Sequence, residues 1–337
     1  MEIDIILNEF TSPQGALELG LMAERYGVRG VWAANYAWSR DPFFTLSLLA
    51  ERSSTIRMGP MAISPAELHP LKMANLLFAL NELSRGRAMI MVGGGGAVTQ
   101  AMGLKRERMV RSARECIEIL KGASPAKMLN YKGEIHKIWG YQPKWHTDRP
   151  PLVYFGSNHP QSRRMAVKHA DGLITSDFVV PLMQDFIAAA HAELRAAGRD
   201  PAGFRFSNFW AWHIKADAQA SFAEARRELM LRGWLREKYF APFLDPDELR
   251  IMAAHEKDFL NAFLRGSDVI ENVPAGLVEK MVRNISFVGG LDQIGPAIET
   301  LRGFAAAGLT EIAIRVHDDP AAAIRLIGER VIPALRA

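Results

Sequence analysis

IRMGPMAISPAELHPLKMANLLFALNELSRGRAMIMVGGGG, residues 56–96, reads as a strand, a helix and a second strand. Residues 56–63 form an apolar run of the length of a buried strand, closed by Ser64 and Pro65. His69 and Pro70 open a helix over 69–83, because proline fits the first helical turn, where a missing N–H is no loss. After Arg85, Gly86 and Arg87, residues 88–92 make the next strand, which runs out into Gly93, Gly94, Gly95 and Gly96. Strand, covering helix and strand is the repeating piece of an α/β fold.

The same rhythm extends in both directions. Upstream, strands are predicted at 3–7 and 30–34 and helices at 13–26 and 41–52. Gly27 stands where a helix C-cap glycine belongs, and Asp41 followed by Pro42 is a good helix start. Downstream, a helix over 105–121 and a proline-rich, hairpin-like excursion over 130–151 precede strands at 152–155, 172–175, 204–214 and 311–316. A closing helix covers 321–335. Eight strands in βα alternation predict a (β/α)8 TIM barrel, built as one domain over 1–337. An open doubly wound sheet is the alternative, and eight units in order favour closure. Residues 217–283 break the rhythm with apolar residues at helical spacing and with Pro242, Pro246 and Pro274. They read as a helical insertion between strands seven and eight, on the barrel face that carries active sites. The insertion is expected to wall a substrate pocket or to form a dimer surface.

Composition removes several classes of function. The chain is 49% hydrophobic and 23% charged, a normal globular balance. Its 41 basic residues exceed its 37 acidic ones by only 4 and are scattered, so no nucleic-acid partner is expected. No stretch approaches the roughly 18 apolar residues of a membrane span. The opening MEIDIILNEF carries acids where a secretion signal has bases, so the expected location is cytoplasmic and away from membranes. Cys116 is the one cysteine, which excludes an internal disulfide and reads as a buried, inert thiol. HExxH is absent and no two histidines pair at helical spacing, so no metal site is expected. The P-loop and the GxSxG elbow are absent too.

What remains are three segments at strand ends. Four glycines after strand four cost chain entropy that a plain turn does not require, and they let backbone approach a ligand. Phe155, Gly156, Ser157, Asn158, His159 and Pro160 leave strand five and open a helix. Free amides and the positive end of the helix dipole there suit a phosphate, with Ser157 and Asn158 as further donors; an ordinary Ser/Asn cap is the plainer reading. His69 precedes a helix, so it reads as a cap or packed ring or, alternatively, as a catalytic group.

Together these pieces resemble the bacterial luciferase-like flavin-dependent oxidoreductases. The resemblance rests on Gly59-Pro60 through Pro65, on His69-Pro70, on Leu83-Ser84-Arg85-Gly86-Arg87 and on the glycine run. It continues through the turn at 156–160, Ala170-Asp171-Gly172, Phe287-Val288-Gly289 and Ala307-Gly308-Leu309, and so covers nearly the whole chain. Arg40-Asp41-Pro42 and Gly59-Pro60 look most like the branch that uses the deazaflavin coenzyme F420, near methylene-tetrahydromethanopterin reductase. The resemblance implies a bulge with a non-prolyl cis peptide at Met61-Ala62 or between Ala62 and Ile63, backing the flavin ring. It also implies a ring near Gly93, Gly94 and Gly95, and a cofactor phosphate on Gly156, Ser157, Asn158 and His159.

One departure concerns proton chemistry. That branch commonly has Asp-His after strand two, where this chain has Asn35 and Tyr36. An amide is no base and a phenol is a poor proton shuttle at neutral pH, yet both hydrogen-bond and Tyr36 can stack. Ile6 stands where some members place an acid in strand one, with Glu9 a little further on. The candidate catalytic residues are therefore Asn35, Tyr36 and His69. The expected function is hydride transfer between F420 and a small organic substrate. The alternatives are an FMN-dependent monooxygenase fed by a flavin reductase, and a non-catalytic cofactor-binding barrel. Family members are often dimers, which implies a homodimer.

Overall fold

In the computed structural model, which describes residues 1–105, 107–146 and 148–336, eleven strands form two sheets. They are β1 (Glu2–Leu7), β2 (Gly30–Ala34), β3 (Arg57–Ile63), β4 (Met89–Val92), β5 (Leu129–Lys132) and β6 (Lys137–Tyr141), then β7 (Leu152–Gly156), β8 (Gly172–Ser176), β9 (Arg205–Trp212), β10 (Ser286–Phe287) and β11 (Glu311–Arg315). The large sheet runs β10-β9-β11-β1-β2-β3-β4-β7-β8, and β8 pairs back onto β9. Leaving aside the two-residue β10 at the end of β9, eight parallel strands close on themselves. This is the (β/α)8 barrel with helices outside.

The strands close because alternate residues face opposite ways. Ile6, Trp32, Ala34, Met61, Met89, Tyr154, Ile174 and Ala313 fill the barrel interior. Their neighbours, such as Ile5, Val31, Ile312 and Ile314, pack outward against the helical layer. The helices begin where short polar side chains and prolines allow. α1 (Pro13–Arg25) starts at Ser12, whose hydroxyl accepts the Gly15 amide at 3.0 Å. α2 (Pro42–Arg52) starts at Asp41, which accepts the Phe44 amide at 2.8 Å. α3 (Pro70–Leu83) follows on the same plan.

The N-terminal end of the barrel is plugged by ions. Arg29 binds the carboxylates of Asp4 and Glu311, the latter at 2.9 Å. The Trp32 indole donates to Asp4 at 2.9 Å, and the Tyr154 hydroxyl donates to Glu311 at 3.0 Å. Arg205 adds a second guanidinium to Glu311. Buried charge is tolerable here because each group is paired.

Two boundaries differ from expectation. The glycine run leads at once into a short helix, α4 (Gly96–Ala101), and the long α5 (Met109–Gly122) begins at 109 rather than 105. Arg106 lies outside the described residues. The strands β5 and β6 form the expected antiparallel hairpin. α6 (Pro160–His169) and α7 (Val180–Ala196) complete the next two units.

The insertion is helical, with α8 (Ala218–Arg227), α9 (Glu237–Phe240), α10 (Pro246–Ala254), α11 (Glu256–Arg265) and α12 (Ala275–Ile285). Asp245 and Glu248 cap α10 reciprocally, and Gly266 ends α11 in the left-handed region at φ 62°. Phe240, Met252, Phe259 and Met281 are buried, so the insertion shares the outer core rather than standing off it. α13 (Ile294–Ala306) then leads into β11. The closing helix is not continuous: α14 (Pro320–Leu326) passes through one wide π-turn at Ile327–Val331 before α15 (Ile332–Arg336). Cys116 is buried, and burial pushes its thiol up, as expected of an inert side chain. Among the described residues no helix is long and apolar enough to cross a membrane.

Candidate active site

Every strand of the barrel points its C-terminal end at the same rim. On β3 the peptide Met61-Ala62 is cis, one of the two positions expected. The pairing of β3 with β4 slips between Met61 and Ile63, so a bulge projects there. The Asn35 amide N–H donates to the Met61 carbonyl at 2.9 Å, and the Asn35 side chain donates to the Ala62 carbonyl at 2.9 Å and to Glu67 at 2.7 Å. The Gly93 amide donates to the Ile63 carbonyl at 2.9 Å. A Cβ on Gly93 would lie 2.8 Å from the Ala62 Cβ, so the bulge requires glycine opposite it. Gly95 sits at φ 95°, also beyond the reach of ordinary residues. Gly94 lies between them at the rim, partly exposed.

Glu67 was not singled out by the sequence. One of its oxygens accepts from Asn35 and the Ser64 amide, while the other is buried with no partner among the described residues. Burial pushes its carboxyl up, against the pull of those two donors. Asn35 thus spends both side-chain hydrogens on holding the bulge. Tyr36 stacks on Trp38, with ring centres 5.6 Å apart and planes 7° from parallel, and packs against the barrel interior. His69 is exposed and its Nδ1 accepts the Leu71 amide at 3.2 Å, which is the cap geometry. Ile6 is buried inside the barrel, and Glu9 pairs with Arg315.

The turn after β7 lies across the rim. The Ser157 amide donates to Ile174 and its hydroxyl accepts the His159 amide at 3.3 Å. The Asn158 side chain is committed elsewhere. It accepts the Ser176 amide at 3.0 Å and donates to the Ser176 carbonyl at 2.8 Å and to the Tyr239 hydroxyl at 2.6 Å. This ties the turn to β8 and to the insertion. His159 stands at the start of α6 without making a side-chain cap, so that helix end is not closed from within. Burial holds the His159 imidazole below its ordinary range, helped by Lys238 and Arg236. Those two cations come from the insertion and were also missed, since two basic residues in a helical stretch carry no pattern that marks a ligand.

A third group fills the rim between β8, β9 and β11. Asp177 accepts the Gly233 amide at 3.0 Å and pairs with Arg232 at 3.3 Å, and Arg232 covers the Phe209 ring at 4.8 Å. Burial pushes the Asp177 carboxyl up, against those two partners. The His213 Nδ1 lies 2.7 Å from Glu224, whose other oxygen takes Lys215 at 2.5 Å and the Asp318 amide at 3.0 Å. The His213 and His317 rings stack at 4.4 Å. Neither histidine lies in a motif, and they meet only because β9 and β11 are neighbours. Their places just past strand ends were the signal available.

The sequence profile of the luciferase-like monooxygenase family matches residues 5–311. The chain belongs to that family. Among curated luciferase-like relatives, the 5,10-methylenetetrahydromethanopterin reductase of Archaeoglobus fulgidus is 25% identical over 323 residues, covering 94% of each chain. Among solved structures, the coenzyme F420-dependent tetrahydromethanopterin reductase of Methanopyrus kandleri superposes with a TM-score of 0.79 at 21% identity, over 99% of both chains. The FMN-bound oxygenating constituent of 3,6-diketocamphane monooxygenase from Pseudomonas putida superposes with a TM-score of 0.68 at 17% identity, covering 99% of this chain and 98% of its own. At those identities the two structures speak for the shared luciferase-like barrel alone.

Proposed function

We propose that this chain is an F420-dependent oxidoreductase acting on a small organic substrate. The observation that carries this reading is the bulge at Met61-Ala62, braced by Asn35 and matched by a glycine on β4. It presents Met61, Ala62 and Ile63 as a backing for a flat ring, with Gly93, Gly94 and Gly95 beside it. The open start of α6, with Gly156, Ser157 and His159 around it and Arg236 and Lys238 nearby, suits an anionic tail. Asn158 serves that turn by holding it, not as a donor to the ligand. When bound, the deazaflavin supplies the hydride chemistry, and the chain supplies position and exclusion of water.

The same reading takes the chain as one luciferase-like domain working in the cytoplasm as a homodimer. Phe44, Leu76 and Leu83 on the adjacent helices α2 and α3 are exposed and support a partner there. An FMN-dependent monooxygenase supplied by a reductase is the second reading, favoured by the FMN-bound neighbour of the same fold. Titration with oxidised F420 and with FMN, followed by fluorescence, decides between them. F420 is expected to bind in the micromolar range (about −8 kcal/mol) and FMN far more weakly. FMN binding, with oxygen consumption by its reduced form and no F420 binding, would overturn the proposal.

A further inference from the structure

The rim holds an acid–base group that the residues after β2 do not provide. Phe209, Ala211 and His213 alternate to one side of β9, and Ala313, Arg315 and His317 to one side of β11. Phe209 and Ala313 belong to the barrel interior, so both histidines face inward, at the mouth. They are 1% and 8% exposed, and the Nε2 of each has no partner among the described residues. The Arg232 Nε beside them is likewise buried and unpaired. Native interiors rarely leave three such atoms together unless something else satisfies them.

We propose that His213 is the catalytic acid–base residue, that Glu224 positions it, and that the substrate is an alcohol or the matching carbonyl compound whose oxygen binds at His213 Nε2. This rests on the F420 reading above. Glu224 is held by Lys215 and by the Asp318 amide, so its second oxygen is fixed to accept the His213 Nδ1–H. That tautomer leaves a lone pair on Nε2, the atom left without a partner among the described residues. In the oxidising direction the O–H proton would pass to Nε2 and the C–O bond would become C=O as the carbon gives up a hydride, which the deazaflavin, when bound, would accept. The two electrons would then be taken up by the cofactor and the proton by the imidazole. Reduction of a carbonyl reverses each transfer.

The charged and titratable groups facing His213 are Glu224 and Glu228 from the end of α8, Lys215 beyond β9, Arg232 from the insertion, and His317 with Arg315 from β11. Burial lowers the imidazole and Glu224 resists that shift, so the base form is present at neutral pH.

The test uses the full chain with F420 and a panel of alcohols and ketones that includes 2-propanol and cyclohexanone. Turnover in the oxidising direction is expected to fall at acid pH as His213 takes a proton. His213→Gln is expected to lower kcat by about 100-fold or more with F420 affinity within about threefold. Glu224→Gln is expected to move the acid limb to lower pH. Nitrogen-15 NMR of the wild-type histidines, with no cofactor added, is expected to show His213 protonated at Nδ1 and bare at Nε2. A His213→Gln variant within twofold of wild type, no turnover of any alcohol or ketone, or a proton on Nε2 at pH 7 would each overturn the assignment. The NMR result decides if the variant does not fold. F420 turnover with an indifferent His213 sinks only the dyad, whereas absence of F420 binding sinks both readings.

Discussion

A Cβ on Gly93 has nowhere to go, since the Ala62 methyl it meets belongs to a bulge held by Asn35. Gly93→Ala is expected to displace the bulge, weakening F420 binding about tenfold (about 1.4 kcal/mol), while circular dichroism stays native. At the start of α6, where the anionic tail is proposed to bind, Arg236→Ala with Lys238→Ala is expected to weaken F420 binding several-fold and flatten its dependence on salt, because two cations near His159 are removed. The first of these residues was legible in the sequence and the second pair was not. A run of glycines at a strand end has a cost that demands a reason. A cation on an inserted helix has none until the chain is folded, and the same holds for Glu67, whose donor Asn35 lies 32 residues away in the chain.

At the scale of elements, the alternation of strand and helix was legible almost throughout, since burial on two faces leaves continuous apolar runs. What failed was local. Glycines at 95 and 96 adopt positive φ and still start α4, so the chain turns helical earlier than glycine content suggests. The rims of β9 and β11 carry a consequence for pH. His213 and His317 are buried and held below their ordinary pKa, chiefly by burial. A depressed histidine stabilises the fold above its unfolded pKa, near 6.5, and that contribution is lost as the pH falls below it. Glu224 acts in the same sense at lower pH. Burial opposes its charge, but the hydrogen bonds from His213, Lys215 and Asp318 outweigh that and hold its carboxyl at about 2. As the pH falls from 7.5 to 5.5 the folding free energy, read from urea midpoints, is expected to fall, because the two imidazoles take protons more readily in the unfolded chain than in the fold. His317→Phe is expected to flatten that slope.

For the whole molecule, the plug at the N-terminal end decides closure. Arg29 comes between α1 and β2, Asp4 from β1, Tyr154 from β7 and Glu311 from β11. Arg29→Met leaves two carboxylates buried without their shared cation, and a loss of about 3–5 kcal/mol in unfolding free energy is expected, measured by urea denaturation with F420 binding tested on the surviving folded fraction. A loss below about 1 kcal/mol would mean the plug relaxes into water.

Glu311 also ties the last barrel strand to earlier ones. It lies on the last barrel strand to leave the ribosome, yet it serves Arg29, Arg205 and Tyr154 from much earlier in the chain. Without that strand, β1 and β9 each present an unpaired edge, and Arg29 keeps Asp4 but lacks the second of its buried carboxylates. Closure of the barrel therefore waits on β11, whose two edges and one carboxylate complete the ring together.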